Sequence, residues 1–179
     1  MTFAIRLTLL CCVMISSESL PVGSPPQSQQ MIAGSIGRSI SLQNRSTEIP
    51  LIAKGSRSSG EALAVRLSSE SDGRRFFIVV HGLSAKKAPG QIYEMFVSDS
   101  VRRAGTRERR RFIGQFNFYD AVRRKDTVSL EITDLARQML AERSLSGNLL
   151  ITVRTVGTPE KDSFPSVDRI ELVEQSDDR

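Results

Sequence analysis

The stretch Phe76-Phe77-Ile78-Val79-Val80, which ends in His81-Gly82-Leu83, decides the fold class of this 179-residue chain. An uninterrupted run of aromatic and β-branched residues favours the pleated surface of a strand. Ser71-Asp72-Gly73 precedes the run with the residues that turns require. A short apolar run bounded in this way is typical of a central strand that is buried on both faces.

Seven further short runs flank this strand and are separated by turn residues, at residues 49–53, 62–67, 92–97, 112–119, 128–132, 149–156 and 167–173. Residues 62–67 alternate with period two, which predicts a half-buried strand. Residues 134–142 instead place Leu135, Met139 and Leu140 on one face, which predicts one short helix. The sequence therefore predicts an all-β fold, an antiparallel β-sandwich or barrel of about eight strands with one short helix.

The ends of the chain differ in character from this β-rich part. Residues 1–19 combine a short apolar run, Arg6 near its start and small residues after it, which predicts a signal peptide and export to the periplasm or the extracellular space. The apolar run is too short to predict a transmembrane segment. Residues 20–46 are first Pro/Gln-rich and then Gly/Ser-rich, which predicts a linker that is irregular or holds a loosely attached first strand. The β domain is predicted at residues 47–175.

The cysteines and the histidine limit the chemistry that the domain can perform. Both cysteines, Cys11 and Cys12, lie in the predicted leader, so a disulfide framework, a zinc site and a cysteine nucleophile are excluded from the domain. His81 is the single histidine, so the chain has too few imidazoles for a multi-histidine copper centre. An enzyme would have to use His81 with a serine such as Ser84, but no nucleophile-elbow or oxyanion-loop motif accompanies them. We therefore expect no enzyme, no metal and no cofactor.

The positive charge of the chain is concentrated in two places. The formal net charge is +5, and arginines crowd residues 102–111, with a second basic cluster at residues 123–125. Basic clusters attract nucleic acids, anionic lipids or acidic protein surfaces, and the alternative is a solvated loop. Nucleic-acid binding normally needs interleaved aromatic side chains, and the first of these is Phe112, which disfavours that alternative. The candidate contacts of this stretch are Arg102, Arg103, Arg109, Arg110 and Arg111.

The order of the motifs resembles the C-terminal domain of tyrosinases and polyphenol oxidases over residues 47–173. Five motifs, made up of seven short stretches, carry the resemblance: Ile78-Val79-Val80-His81-Gly82-Leu83 before Tyr93-Glu94-Met95-Phe96, Ile113-Gly114-Gln115-Phe116-Asn117-Phe118, Glu131-Ile132-Thr133-Asp134-Leu135, Leu150-Ile151-Thr152-Val153 through Gly157-Thr158-Pro159, and Asp168-Arg169-Ile170-Glu171-Leu172. The family pattern of aromatic-Asp-Val-Tyr is Tyr-Glu-Met-Phe here, and Asp168 replaces the glycine of the closing strand.

The resemblance implies a function as well as a fold. The resemblance implies that this domain lies over the copper site of the parent enzymes and keeps them latent, and that this chain is a free-standing form of the domain. We therefore expect a non-catalytic accessory module that binds and shields, or helps to mature, a tyrosinase-like di-copper oxidase in trans. The alternatives are a stand-alone exported binding or adhesion module without an oxidase partner, and a binder of anionic polymers through Arg102–Arg111.

Aromatic side chains are the candidates for contacts with such a partner, because a planar ring fills a pocket shaped for phenols. The candidates are Tyr93, Phe96, Phe118 and Tyr119. A core or cross-strand position is the favoured alternative for Phe96 and Phe118. Tyr119 lies near a predicted strand end and is the strongest candidate for the surface.

Overall fold

The computed structural model describes residues 28–37, 39–55, 57–69, 73–99, 109–158 and 160–176. The strands are β1 (Ser28–Ser35), β2 (Ile40–Ser41), β3 (Ser46–Ala53), β4 (Arg74–Leu83), β5 (Ile92–Asp99), β6 (Arg111–Phe116), β7 (Asp126–Glu131), β8 (Leu149–Val156), β9 (Ser166–Val167) and β10 (Arg169–Ser176). The helices are α1 (Ser59–Ser68), α2 (Thr133–Ala141) and a 3₁₀ turn at Asp120–Val122. The leader predicted at residues 1–19 lies outside the described residues, and export stays a prediction.

Eight strands form one antiparallel sheet in the order β6-β5-β8-β3-β1-β10-β4-β7, and β2 pairs separately with β9. The sheet curls into a nearly closed barrel, so that its two edge strands, β6 and β7, lie side by side. Gly114 permits this approach, because a Cβ atom there would lie 3.1 Å from Cδ2 of Leu130 on β7. The predicted all-β class is confirmed.

The barrel interior is filled by alternate residues of each strand, as a sheet with one face in the core requires. On β5, Tyr93, Met95 and Val97 are buried, whereas Glu94 and Phe96 between them are only partly buried. Their cross-strand partners on β8 are also buried: Thr155, Val153 and Ile151. Burying each large apolar side chain contributes about 1.5–3 kcal/mol, which makes this interior the main source of stability.

Both helices lie at the same end of the barrel, which we call the helix end. Helix α1 follows β3, helix α2 follows β7, and the two helices contact each other. Helix α1 begins with a capping box, in which the Glu61 amide donates to Ser58 Oγ (3.2 Å) and the Ser58 amide donates to Glu61 Oε2 (3.0 Å). These two bonds satisfy amides that the first helical turn leaves without partners.

The first turn of α1 is joined to the barrel by buried hydrogen bonds. Ser59 is fully buried, and its Oγ donates to the Leu51 carbonyl and accepts from the Leu149 amide, both at 2.7 Å. The Gly60 amide donates to the Gly147 carbonyl at 2.9 Å. Helix α1 is therefore fixed to β3 and to the start of β8.

The strand predicted at residues 62–67 is wrong, because these residues lie in α1. The capping box upstream starts a helix, and alanine and leucine are strong helix formers. Ala62 and Ala64 are small enough to lie on a buried or an exposed face of either a helix or a strand. Their alternation with larger residues therefore does not distinguish a strand from a helix. Leu63 is buried, whereas Val65 is 48% exposed, which is the asymmetry of a helix lying on a surface.

The first strand is more firmly attached than the sequence predicts. Strand β1 lies between β3 and β10, where Ala33 is opposite both Ala53 and Leu172. Only Ile32 and Ala33 of β1 are buried. Because the apolar signal is two residues long and lies among Ser, Gln and Gly, the sequence predicts an irregular or loosely attached segment here.

Candidate protein-binding surface

The barrel end opposite the helices consists of connections between strands, and we call it the loop end. The connections are those between β1 and β3, β4 and β5, β6 and β7, and β8 and β10. The strand registers place them together, since Ile92 at the start of β5 is opposite Val156 at the end of β8, and Leu83 at the end of β4 is opposite Asp126 at the start of β7. Most of this rim is turn or irregular backbone, with β2 and β9 as its short paired strands.

Exposed hydrophobic side chains are concentrated at the loop end. Of the nine large ones that are exposed among the described residues, six lie there: Ile36, Ile92, Tyr119, Val122, Val156 and Phe164. Ile36 and Tyr119 are the most exposed, at 76% and 70%. The other three are Ile52, Val65 and Phe112. Exposed apolar groups gathered in one region mark a site of interaction, whereas scattered single ones do not.

Of these six residues only Tyr119 was among the candidates predicted from the sequence, and Ile36 and Phe164 are the two most exposed of the other five. Ile36 follows Gly34-Ser35, and Phe164 lies in Lys161-Asp162-Ser163-Phe164-Pro165. A lone large hydrophobic residue inside a polar, turn-rich segment is the signal that could have found them, since such a residue has no neighbouring apolar period to join.

Tyr119 is presented by a short segment in which Phe118 before it and Ala121 after it are buried in the barrel. Strand β6 ends at Phe116 rather than continuing to Tyr119 as predicted. The Tyr119 amide donates to Asn117 Oδ1 at 3.1 Å, and the 3₁₀ turn follows directly. Further along, Lys125 Nζ donates to Asp168 Oδ2 at 2.7 Å. Tyr119 therefore lies at the loop end with its ring in solvent, as predicted for a surface residue, and its contact with a partner stays a prediction.

The structure places two other candidates, Tyr93 and Phe118, in the core. Their side chains are 0% and 1% exposed, so neither can contact a partner of the folded chain, and we withdraw both. The Tyr93 ring stacks on Phe116 with centroids 5.6 Å apart and meets the edge of Phe118 at 5.0 Å. The sequence cannot separate them from Tyr119 because an aromatic residue at a strand end suits the core and the rim equally.

Phe96 is a cross-strand residue on the outer face of the sheet. Its ring packs edge-on against Phe112 on β6 with centroids 5.6 Å apart. The Arg154 guanidinium lies 5.0 Å from the centroid of the Phe96 ring, a cation–π contact. The cross-strand position favoured from the sequence is therefore where the structure places Phe96.

The Tyr93 hydroxyl is buried without a hydrogen-bond partner among the described residues, and burial raises its pKa to about 12. We expect Tyr93→Phe to leave the free energy of unfolding at pH 7 unchanged or to raise it by up to about 1 kcal/mol, because an unsatisfied buried polar group costs stability. Since the unfolded phenol ionises near pH 10, the wild type loses stability as the pH rises from about 10 to 12, and Tyr93→Phe lacks this loss.

Urea unfolding at pH 7 and at pH 10–11 measures both effects. Tyr119→Phe is the matched control, because its exposed ring has no comparable burial. A clear loss of stability in Tyr93→Phe at pH 7 would show that the hydroxyl does have a partner.

The arginines at the end of the predicted basic stretch are matched by carboxylates of the same chain. Arg109 and Arg111 both donate to Glu142 Oε2, at 3.0 and 2.5 Å, and Arg110 donates to Glu48 Oε1 at 2.7 Å. The hydrogen bond from Arg111 lowers the pKa of the Glu142 carboxyl below its usual range. These three arginines therefore have protein carboxylates as partners, which weakens the hypothesis of an anionic-polymer site here.

The remaining arginines of that hypothesis, Arg102 and Arg103, lie outside the described residues, and their role stays a prediction. The second basic cluster is at the loop end, where Arg123 and Arg124 are exposed and Lys125 pairs with Asp168. Positive charge therefore accompanies the exposed hydrophobic residues of the loop end.

His81 is hydrogen-bonded to a carboxylate and not to the hydroxyl of a nucleophile. Its Nε2 lies 2.8 Å from Glu171 Oε2, and Glu171 Oε1 accepts from Arg169 Nε at 2.8 Å. Ser84 Oγ is instead 3.0 Å from Ser166 Oγ. The pair of His81 and Ser84 that an enzyme would need is therefore not formed.

In the part of the chain that the structure describes, no three or more His, Cys, Asp and Glu side chains come together as ligands for a metal ion. No helix there is long and apolar enough to cross a membrane.

Comparison with known proteins finds similarity in structure alone. No protein-family model and no curated protein matches the sequence. Among solved structures, recombinant latent aurone synthase, a polyphenol oxidase, matches 80% of this chain with 26% of its own, at 10% identity and a TM-score of 0.46. The same enzyme co-crystallised with hexatungstotellurate(VI) matches 92% with 32%, at 14% identity and a TM-score of 0.48. Latent apple tyrosinase matches 77% with 27%, at 13% identity and a TM-score of 0.44.

These matches cover only a part of each enzyme. The chain spans 26–33% of the length of the five solved chains. At 10–14% identity and TM-scores of 0.44–0.48 these matches assign no function, so the function of this chain has to follow from its own residues.

Proposed function

We propose that this chain is a non-catalytic, exported accessory module whose loop end binds a tyrosinase-like di-copper oxidase and shields it or helps it to mature. The observation that carries the proposal is the concentration of exposed hydrophobic side chains at one end of the barrel. The oxidase is named as the partner because of the motif order that resembles the C-terminal domain of such enzymes.

The loop end has the composition of a protein-binding surface. Protein interfaces are enriched in aromatic and arginine side chains, and Tyr119 stands next to the exposed Arg123 and Arg124. The opposite end of the barrel is occupied by α1 and α2, and Arg109 and Arg111 near it both donate to Glu142. The loop end is therefore the favoured docking surface.

The proposed partner also suits the exposed side chains. An oxidase of phenols has a pocket that accepts a planar aromatic ring, and Tyr119 presents a phenol that is 70% exposed. Phe118 before it and Ala121 after it are buried in the barrel, so that little conformational freedom is lost on binding. Binding over such a pocket would exclude substrate, which is what shielding requires.

The proposal is tested by adding the purified chain to a di-copper tyrosinase-like oxidase from the same host. We expect a complex on size-exclusion chromatography and, with rising concentration of the chain, a fall in diphenol oxidation if it shields or a gain in copper content of newly made oxidase if it assists maturation. If no complex forms with an active, pure oxidase, the proposal fails and the stand-alone binding or adhesion module is the remaining function.

Replacing Tyr119 by serine is expected to weaken this complex about tenfold, because truncating a central interface aromatic removes binding energy of this order. Val65→Ser is the matched control: Val65 is also exposed, but it lies on α1 at the helix end, and its replacement should leave the affinity unchanged. Titration calorimetry measures both. Equal affinities for the two variants would contradict the placement of the interface at the loop end.

A further inference from the structure

Phe164 has a backbone conformation that is unusual for its type. Its φ angle is +47°, in the left-handed region that large L-residues rarely enter. It also precedes Pro165, and a residue before proline is normally driven to an extended conformation. Such conformations persist only where the surroundings determine them, and they cluster at functional sites.

The surroundings of Phe164 do determine its conformation. On one side, the Ser163 carbonyl accepts from the Lys86 amide at 2.7 Å. On the other side, the Pro165 carbonyl accepts from the Leu42 amide at 2.9 Å. Ser163 and Pro165 are both buried, whereas the residue between them, Phe164, is 51% exposed.

The loop therefore keeps the Phe164 ring half exposed to solvent, and the backbone at this residue is strained. The exposed ring contributes little to the hydrophobic core, so packing within the chain does not explain why the strain is kept. A rigid, outward-held aromatic ring is instead the form of an anchor residue, which fills a pocket on a partner and loses little freedom in doing so.

One cation accompanies the ring. Lys86 Nζ lies 5.9 Å from the centroid of the Phe164 ring, and the neighbouring Lys87 is exposed. Among the described residues Lys86 forms no ion pair, and the two carboxylates of the loop, Glu160 and Asp162, form none with it. When the ring enters a pocket, the ammonium group reaches the rim of that pocket and loses water, which is unfavourable unless a carboxylate meets it.

We propose that Phe164 is the anchor with which this chain engages its partner, and that it enters an apolar pocket of the partner protein with a carboxylate at its rim. This inference rests on the proposed function and identifies the contact through which it operates. Phe164 lies at the same end of the barrel as Tyr119, and Asp168 ties the two segments together through Lys125.

The test compares Phe164→Gly with Phe112→Ala, an equally exposed phenylalanine (54%) on the outer face of β6. The probe is the purified di-copper tyrosinase-like oxidase of the same host. We expect Phe164→Gly to lower the affinity about 30-fold or more and Phe112→Ala to leave it within about threefold. The denaturation midpoint of Phe164→Gly should not fall, because glycine adopts this backbone conformation without strain.

Two further variants complete the test. Phe164→Asn lacks the ring but tolerates a left-handed backbone, so it should lose binding to the same extent. Agreement between the two variants would show that the loss of binding does not come from a folding defect in the glycine variant. Lys86→Glu should lower the affinity about tenfold, with a larger effect at low ionic strength, because it places a negative charge against the rim carboxylate.

The outcomes separate the two proposals. If the wild type binds the oxidase and both Phe164 variants bind within about threefold of it, the anchor is overturned and the proposed function stands. If the wild type does not bind an active oxidase, the proposed function fails and the anchor fails with it. A marked loss of stability in Phe164→Gly would overturn the inference that the strain serves binding.

Discussion

Replacing Glu174 by alanine is expected to lower the free energy of unfolding by about 3 kcal/mol, because it leaves two partly buried guanidinium groups without their carboxylate. The Glu174 side chain is 6% exposed, and it accepts from Arg66 Nη1 and Arg74 Nε, both at 3.1 Å. Arg66 also donates to Gln30 Oε1 at 2.7 Å. The cluster thereby joins α1, β1, β4 and β10 near the helix end, and its loss should loosen all four elements. Guanidinium chloride unfolding measures the change.

Glu94→Ala is the matched control for this change. Glu94 also accepts from an arginine across two strands, Arg154 Nη2, but the Arg154 side chain is 58% exposed. An exposed pair of this kind contributes at most about 1 kcal/mol. Equal losses for Glu174→Ala and Glu94→Ala would contradict the assigned importance of the buried cluster.

Gly60→Ala is expected to destabilise the fold by about 2–4 kcal/mol, although alanine is the better helix former. A Cβ atom at residue 60 would lie 2.5 Å from the Gly147 carbonyl oxygen, which belongs to the backbone and cannot move aside cheaply. The shift needed to relieve this contact would also lengthen the bond from the Gly60 amide to the same oxygen. Thermal unfolding with calorimetry measures the loss.

Gly34→Ala provides the comparison for the glycine at residue 60. A Cβ atom at Gly34 would meet Met31 Sδ at 3.6 Å and Glu171 Cγ at 3.8 Å, both ordinary contacts. We therefore expect a change within about 1 kcal/mol at this position. If Gly60→Ala proved as stable as the wild type, the close packing of α1 on the start of β8 would be wrong.

The fold could be predicted where the spacing of buried residues is visible as a regular spacing of apolar residues in the sequence. Residues of β4, β5 and β8 alternate or run apolar because a sheet buries them, and α2 shows its apolar face. The sequence misled at α1, where alanines obscure the period, and at β1, where two buried residues carry the whole signal. In both cases the element is held by hydrogen bonds and by partners distant in the chain, such as Ser59 Oγ with Leu149.

The candidate site could be predicted in part. Tyr119 is exposed at the rim as expected, but Tyr93 and Phe118 fill the core, because the sequence does not show which side of the barrel wall an aromatic ring takes. Phe164 was missed because its importance comes from its backbone conformation and from bonds to residues about 80 or more positions away, Lys86 and Leu42. Neither feature leaves a local pattern.

In this barrel the contacts that stabilise the fold and the proposed contacts with a partner lie at opposite ends. The predicted losses of stability at Glu174 and Gly60 arise near the helix end, where partly buried ion pairs and close backbone contacts join the elements. The proposed contacts of Tyr119 and Phe164 arise at the loop end. Variants at the two ends should therefore affect different measurements, and this makes the proposed interface accessible to mutation without unfolding the chain.

The loop end is the proposed binding surface, and amide hydrogen exchange of the chain with and without the oxidase locates the contact on the chain. We expect slower exchange on binding in the connections between β1 and β3, β4 and β5, β6 and β7, and β8 and β10, with α1 and α2 unchanged. Slower exchange confined to α1 and α2 in an established complex would contradict it.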